Sequence, residues 1–399
     1  MRTVYSTYDP NVNGNLFCVP TIEELRAADT KGHDMALRLS GIDFEPYREL
    51  VEAAVRRHRK KSRVVRMQKR LLAVKRESLP LQFQDAESSN ARPDVFERSD
   101  ARGAPSMDAL MMLKLLILQR AKCLSDAAMA FEVSDRASVQ RFLILPPGAR
   151  ISRQTIWNYR QIFAQSEVME RIALHHVEHL QTIGLISTDQ SNPLILDSSF
   201  VEAPKQRNTH EENARIKAGA STEELWPGEE NKHKRRHKDV DASWTKKGDK
   251  TYFGYKLHAL VEGMGKFMIY MKMTTAKVHD SQVIPHVLSD EDAGRDFYAD
   301  SAYSGTKQNE QICSFGLWPR VCEKGFRDRP LTPRQKKENR KKSRIRSRVE
   351  HVFGFIEGTM RGSIVRTVWL HRATFNGWLT MFCCNIARQE TLMRCRKLE

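Results

Sequence analysis

The periodicity of the chain changes at residue 193, and nothing else in the sequence constrains the fold as much. Upstream, apolar residues recur at helical spacing. Downstream, "PLILDSSF" is a short apolar run carrying Asp197, and "TYFGYKLHALVE" (251–262) alternates. Gly263 and Gly265 mark a turn, and "KFMIYMKMTT" (266–275) follows as the second strand of a hairpin. Its methionines, with Met264, read as core filler. Then come a helix in "VHDSQVIPHVLSD", a strand in "RDFYAD", a helix in "TKQNEQICSFG" and a short strand in "WPRV". A hairpin followed by alternating helices and strands implies an α/β fold, a mixed sheet covered by helices. Residues 203–250, which include "KHKRRHK", are polar and basic and read as an irregular insertion.

The upstream part is expected to be all-α. Residues 1–105 form a helical and basic region with a linker, and 106–185 a second helical region. Thr21 and Glu24 make a capping box at the start of "PTIEELRAA". Residues 77–105 are rich in Ser, Pro, Asp and Asn and read as a loop. Residues 106–120 are apolar around most of the circumference, so that helix is buried. Ser125, Ser134 and Ser152 stand as caps of three short helices. Their tight turns suit a helix-turn-helix and an ordinary bundle about equally, with Arg153 and Arg160 on the last helix as candidate DNA contacts.

Charge narrows the partners. Lys and Arg total 66 against 49 Asp and Glu, a formal net charge of +17. Such a surplus calls for a polyanion. Residues 56–76 hold eleven basic residues and no acid, among them Arg56, Arg57, Arg59, Lys60 and Lys61. A block of one sign repels itself unless a polyanion neutralises it. Residues 327–348 hold another eleven, including Lys341, Lys342, Arg346 and Arg348. The most apolar run, "ALMMLKLLIL", is interrupted by Lys114 and too short to span a bilayer, so no membrane partner is expected. With no leader pattern and seven cysteines, Cys383 and Cys384 adjacent and the others scattered with no C-x-x-C pair, the expectation is a cytoplasmic protein with reduced thiols and no structural zinc.

Three acids stand out against this basic background. Asp197 follows "LIL" and Asp300 follows "FYA", each at the end of an apolar strand, where α/β sheets gather functional groups. Glu350 lies about 100° from Val349 on a helix whose apolar stripe runs through Val349, Val352, Phe353, Ile356 and Met360. Singly, each has a plain role: a cap for either aspartate, a pair with Arg346 for Glu350. Gathered at one sheet edge, they would repel by roughly 4 kcal/mol per pair at 4 Å and a dielectric near 20, and would need cations. Oxygen ligands without Cys point to two Mg²⁺ ions, Mn²⁺ substituting.

At these residues the chain resembles bacterial insertion-sequence transposases of the insertion-sequence-five type. The resemblance runs through "GAPSMDALMMLKLLILQ", "LSDAAMAFEVSDRASVQRFL", "ISRQTIWNYRQ", "LILDSSFVEAP", "KHKRRHKDVDASWTKKGDKTYFGYKLHALVE", "TTAKVHDSQVIPHVL", "FYADSAYSG" and "RSRVEHVFGFIEG". It implies an RNase H-like DDE catalytic domain over 186–399, with Asp197, Asp300 and Glu350 as catalytic metal ligands. It implies cleavage at the terminal inverted repeats of an element and joining of the 3′-hydroxyl ends to target DNA. The partners implied are double-stranded DNA and at least a second copy of the chain, since two ends must be paired. Family members carry a Tyr, Arg, Glu, Lys signature around the third acid. Arg346 and Glu350 match it, but Ser343 and Glu357 stand at the Tyr and Lys positions. That Lys approaches DNA in the family; Arg361, one turn on, is the expected substitute. The alternative is a catalytically impaired, transposase-derived DNA-binding protein, with Glu357 in its favour. Asp280 of "VHD" is expected to cap the following helix, and Asp241 of "DVDASW" to be a loop carboxylate.

Overall fold

The computed structural model describes residues 21–29, 32–77, 106–326 and 328–396. The linker expected at 77–105 lies almost wholly outside the described residues, as do the side chains of much of 66–76. Two compact units divide the chain, one of residues up to 118 with 125–166, the other of 119–124 with 167–399.

The first unit is helical. Thr21 caps Ile22–Ala28 and Glu24 completes the box. A long helix, Arg48–Glu77, carries the first basic run. From Ala109 to Leu118 every side chain of the next helix is buried except Lys114, as expected of an element apolar all round. Lys114 sits against the Phe142 ring, 4.5 Å from its centroid, and burial pushes its ammonium down to about 8. Ser125 caps Asp126–Asp135. Ser134 does not start a new helix. Its hydroxyl donates to Phe131 O inside the preceding one, and Ala137–Leu143 begins after Arg136 without a side-chain cap. Ser152 accepts from the Thr155 amide at the start of Arg153–Ser166.

The second unit is built on a six-stranded sheet. The strands are β1 (Leu194–Glu202), β2 (Ser243–Lys247), β3 (Lys250–Glu262), β4 (Met268–Thr275), β5 (Asp296–Ala299) and β6 (Trp318–Pro319). The principal order is β4-β3-β1-β5-β6, with β2 pairing the first residues of β3. The first three strands are antiparallel, whereas β5 runs parallel to β1 and β6 parallel to β5. This is an RNase H-like mixed sheet, and helices flank both faces. One face, with Leu194, Leu196, Leu260, Phe297 and Ala299, packs on Val283, Ile284, Val287 and Ile312. The other meets helix Pro333–Gly354 and the C-terminal helix Leu370–Arg396. Gly377 lets that last helix approach β4, because a Cβ there would stand 3.0 Å from Met271 and Met273. Both methionines are buried, as is Met268, whereas Met264 is exposed.

Two carboxylates fix the frame. Glu262, fully buried at the hairpin turn, accepts from Asn192 Nδ2 and from the amides of Met264, Gly265 and Phe267. Asp239, also buried, accepts from Tyr255 Oη at 2.6 Å and from the amides of Asp241, Ala242 and Trp369. Asp241 is more than a loop acid: it accepts from the Leu370 amide, opening the C-terminal helix. "DVDASW" therefore anchors 203–250 to that helix. The segment is less irregular than its composition suggests, since Thr209–Glu212 and Ser221–Glu224 capping boxes start short helices. Removing the Asp239 carboxylate leaves four donors without their acceptor. Asp239→Ala is expected to cost at least about 3 kcal/mol, read as a lower urea midpoint for the second unit.

Candidate active site

Register brings the two aspartates together. Leu194, Ile195 and Leu196 of β1 pair with Phe297, Tyr298 and Ala299 of β5, both strands running the same way. The next residues are Asp197, still on β1, and Asp300, the first residue past the end of β5. β1 does not end there, as its sequence suggested; it continues to Glu202 along β3. What ends at Leu196 is its pairing with β5. Ala259 lies opposite Asp197 on β3, a small side chain that adds no bulk.

Asp300 is also a cap: its Oδ1 accepts from the Ala302 amide at 2.8 Å and starts the turn Ser301–Tyr303. That bond uses one of its two oxygens. Burial pushes the Asp197 carboxyl above its ordinary range, and the charge of Asp300 adds to this. The Ser198 amide and Arg346 oppose the shift. Behind the pair, on the opposite face, Tyr303 is fully buried, and burial with Asp280, Asp197 and Asp300 nearby raises its phenol.

Helix Pro333–Gly354 covers the acidic face. Val349, Val352, Phe353, Ile356 and Met360 are all buried, so the stripe seats the helix as the sequence implies. Arg346 reaches down to Asp197, Nη1 to Oδ2 at 2.8 Å, and Nη2 lies 3.8 Å from Glu350 Oε1. Arg346 thus links Glu350 to Asp197, and the Glu350 side chain is 63% exposed. Among the described residues no three His, Cys, Asp or Glu side chains stand together as a metal-holding group. The Asp197–Asp300 pair, with oxygen donors alone, suits a hard cation such as Mg²⁺.

Past Gly354 the helix widens into a π turn, Phe355–Thr359. The turn carries Glu357 to β1, where it accepts from Ser199 Oγ at 2.6 Å. Ser199 shares a sheet face with Asp197, so Glu357 lies along the same acidic row. Arg361 follows in a left-handed conformation (φ 47°) and is exposed.

The basic residues fall into two groups. Arg56, Arg57, Arg59, Lys60, Lys61 and Arg153 are exposed in the first unit. Arg160 is tied to Asp126 in an ion pair. In the second unit Lys341 pairs with Glu338, Lys342 donates to Val321 O, and Arg348 donates to Gly263 O. One cation is not anticipated by the sequence patterns above. Lys256, in the middle of β3, is buried and donates to Asp280 at 2.9 Å and to Val278 O at 2.8 Å. Asp280 therefore does not cap the next turn; His279 does, accepting from the Ser281 amide.

The sheet order, antiparallel from β4 through β3 to β1 and parallel from β1 through β5 to β6, defines an RNase H-like domain. Residues 189–386 match the family model described as a transposase DDE domain, and residues 68–162 match a second transposase domain, DUF772. The chain belongs to the DDE transposases. It is 25% identical over 232 residues to the transposase for insertion sequence element IS1106 of Neisseria meningitidis serogroup B, across 58% of this chain and 76% of the relative. A cryo-EM structure of a piggyBac transposase synaptic complex with hairpin DNA aligns at 10% identity and TM-score 0.41, over 76% of this chain and 70% of that one. Among the described residues no helix is long and apolar enough to cross a membrane.

Proposed function

We propose that the chain binds the terminal inverted repeats of its insertion sequence, cleaves the element's ends and joins the 3′-hydroxyls to target DNA. The observation that carries this reading is the register that sets Asp197 beside Asp300, under a helix bearing Arg346 and Glu350. Asp197, Asp300 and Glu350 would hold two Mg²⁺ ions, Mn²⁺ substituting. Such ions supply activation of the attacking water or hydroxyl and charge stabilisation at the leaving oxygen. The protein's own residues do the rest. Burial of Asp197 excludes water from the floor of the centre, and the Ala302 and Ser198 amides hold the two aspartates in one orientation. Arg346, Arg348, Lys341, Lys342 and Arg361 line the phosphate approach in this reading, and the exposed basic face of Arg48–Glu77 with Arg153 supplies duplex affinity. The protein acts in the bacterial cytoplasm, as a dimer or larger assembly on DNA. A supercoiled plasmid carrying the element's ends tests the reading. Mg²⁺-dependent nicking at the repeat boundaries is expected, and no cleavage with Mg²⁺ or Mn²⁺ would contradict it.

A second reading, a catalytically impaired DNA-binding protein, is favoured by Glu357 alone. A second acid beside the phosphate path repels the phosphodiester. Glu357→Lys loses the bond to Ser199 but stays exposed, so stability is expected to change by no more than about 1 kcal/mol. Single-turnover cleavage of a labelled end should become faster. Slower cleavage at every Mg²⁺ concentration would make Glu357 a working part of the enzyme.

A further inference from the structure

Both oxygens of Asp197 are engaged. Oδ1 accepts from the Ser198 amide and Oδ2 from Arg346 Nη1, each at 2.8 Å. The same guanidinium approaches Glu350 through Nη2. Its remaining nitrogen, Nε, is buried with no hydrogen-bond partner. A cation held by Asp197 Oδ2 must compete with Arg346 for that oxygen, and two positive groups there repel. Moving the guanidinium is eased because its bonding is incomplete where it stands. A phosphate offers the fork geometry that would engage Nε and an Nη together.

We propose that Arg346 is a latch on the carboxylate centre: it bridges Asp197 and Glu350 until a divalent cation takes Asp197 Oδ2, and its guanidinium then turns to a DNA phosphate. The inference rests on the metal-dependent reading above and adds a coupling to it. Release of Arg346 by the cation favours DNA binding, and DNA that holds Arg346 must tighten the cation by the same factor.

Mn²⁺ binding to the full-length protein, followed by the electron paramagnetic resonance of free Mn²⁺, tests this without catalysis. Without DNA, Arg346→Met is expected to bind Mn²⁺ about tenfold more tightly than wild type, within the usual range of site-to-site coupling. Arg346→Lys keeps the charge without the fork and should gain about threefold, a prediction that survives if the Met variant fails to fold. Arg344→Met removes an equal charge two residues away and should stay within about twofold. A duplex of about 20 base pairs should tighten Mn²⁺ binding to wild type and leave the Met variant unmoved. Unchanged or weaker Mn²⁺ binding in both Arg346 variants, with wild type binding normally, overturns the latch alone. Wild-type Mn²⁺ affinity in Asp197→Asn would instead overturn the metal reading on which it rests.

Discussion

Asp300→Asn is expected to abolish strand cleavage, a fall of about 10³-fold or more, while duplex affinity measured without divalent cation stays within about twofold. The loss follows from the role proposed for the pair. Ions held between strand-end carboxylates contribute several kcal/mol to the transition state, and each 1.36 kcal/mol is tenfold in rate. Binding survives because the substitution removes no cation. The amide can still accept from Ala302, so the turn Ser301–Tyr303 is kept. Asp197→Asn and Glu350→Gln should lose cleavage in the same way. End-labelled cleavage beside gel retardation separates the two effects, and full cleavage by Asp300→Asn would remove it from the mechanism.

The second large effect is on salt. If the basic runs at 56–76 and 327–348 supply ~6–10 phosphate contacts, affinity for a duplex should fall ~10³–10⁵-fold between 50 and 200 mM salt. Neutralising Arg56, Arg57, Arg59, Lys60 and Lys61 should flatten the logarithmic slope by close to one unit for each phosphate these side chains neutralise. They are exposed on the Arg48–Glu77 helix, so the fold has little reason to respond. A slope that does not move would make this run a solvated helix face. Residues 327–348 are less free, since Lys342 and Arg348 bond backbone carbonyls and Arg346 bonds Asp197.

Much of the fold is readable in the chain because it depends on local pattern. The β3–β4 hairpin follows from alternation and two glycines, the seating of Val349 and Ile356 from helical spacing, and the Thr21 and Ser125 caps from residue type. Long-range geometry is not readable. Nothing near Asp197 says that β1 continues to Glu202 while its partner β5 stops at Ala299, because pairing depends on strands far apart in sequence. The π turn that brings Glu357 to Ser199 escapes a helical wheel, which assumes one pitch throughout. Asp239 and Asp241 look like loop acids because their partners, Tyr255, Trp369 and Leu370, are distant in sequence. Lys256 does leave a signal, a charge inside the apolar alternation of "YKLHAL". Its partner Asp280 hides that signal, because an aspartate ahead of a helical run reads first as a cap.

The proposed function requires Asp197 and Asp300 to share a catalytic cation. Anomalous diffraction from crystals of the full chain grown with Mn²⁺ tests it most directly. The expected result is a Mn²⁺ peak between the two carboxylates, Arg346 withdrawn from Asp197 Oδ2, and Glu350 turned toward the metal. Mn²⁺ bound elsewhere, with the three carboxyl groups more than ~10 Å apart, would contradict it, because paired catalytic metals sit ~3.5–4 Å from each other.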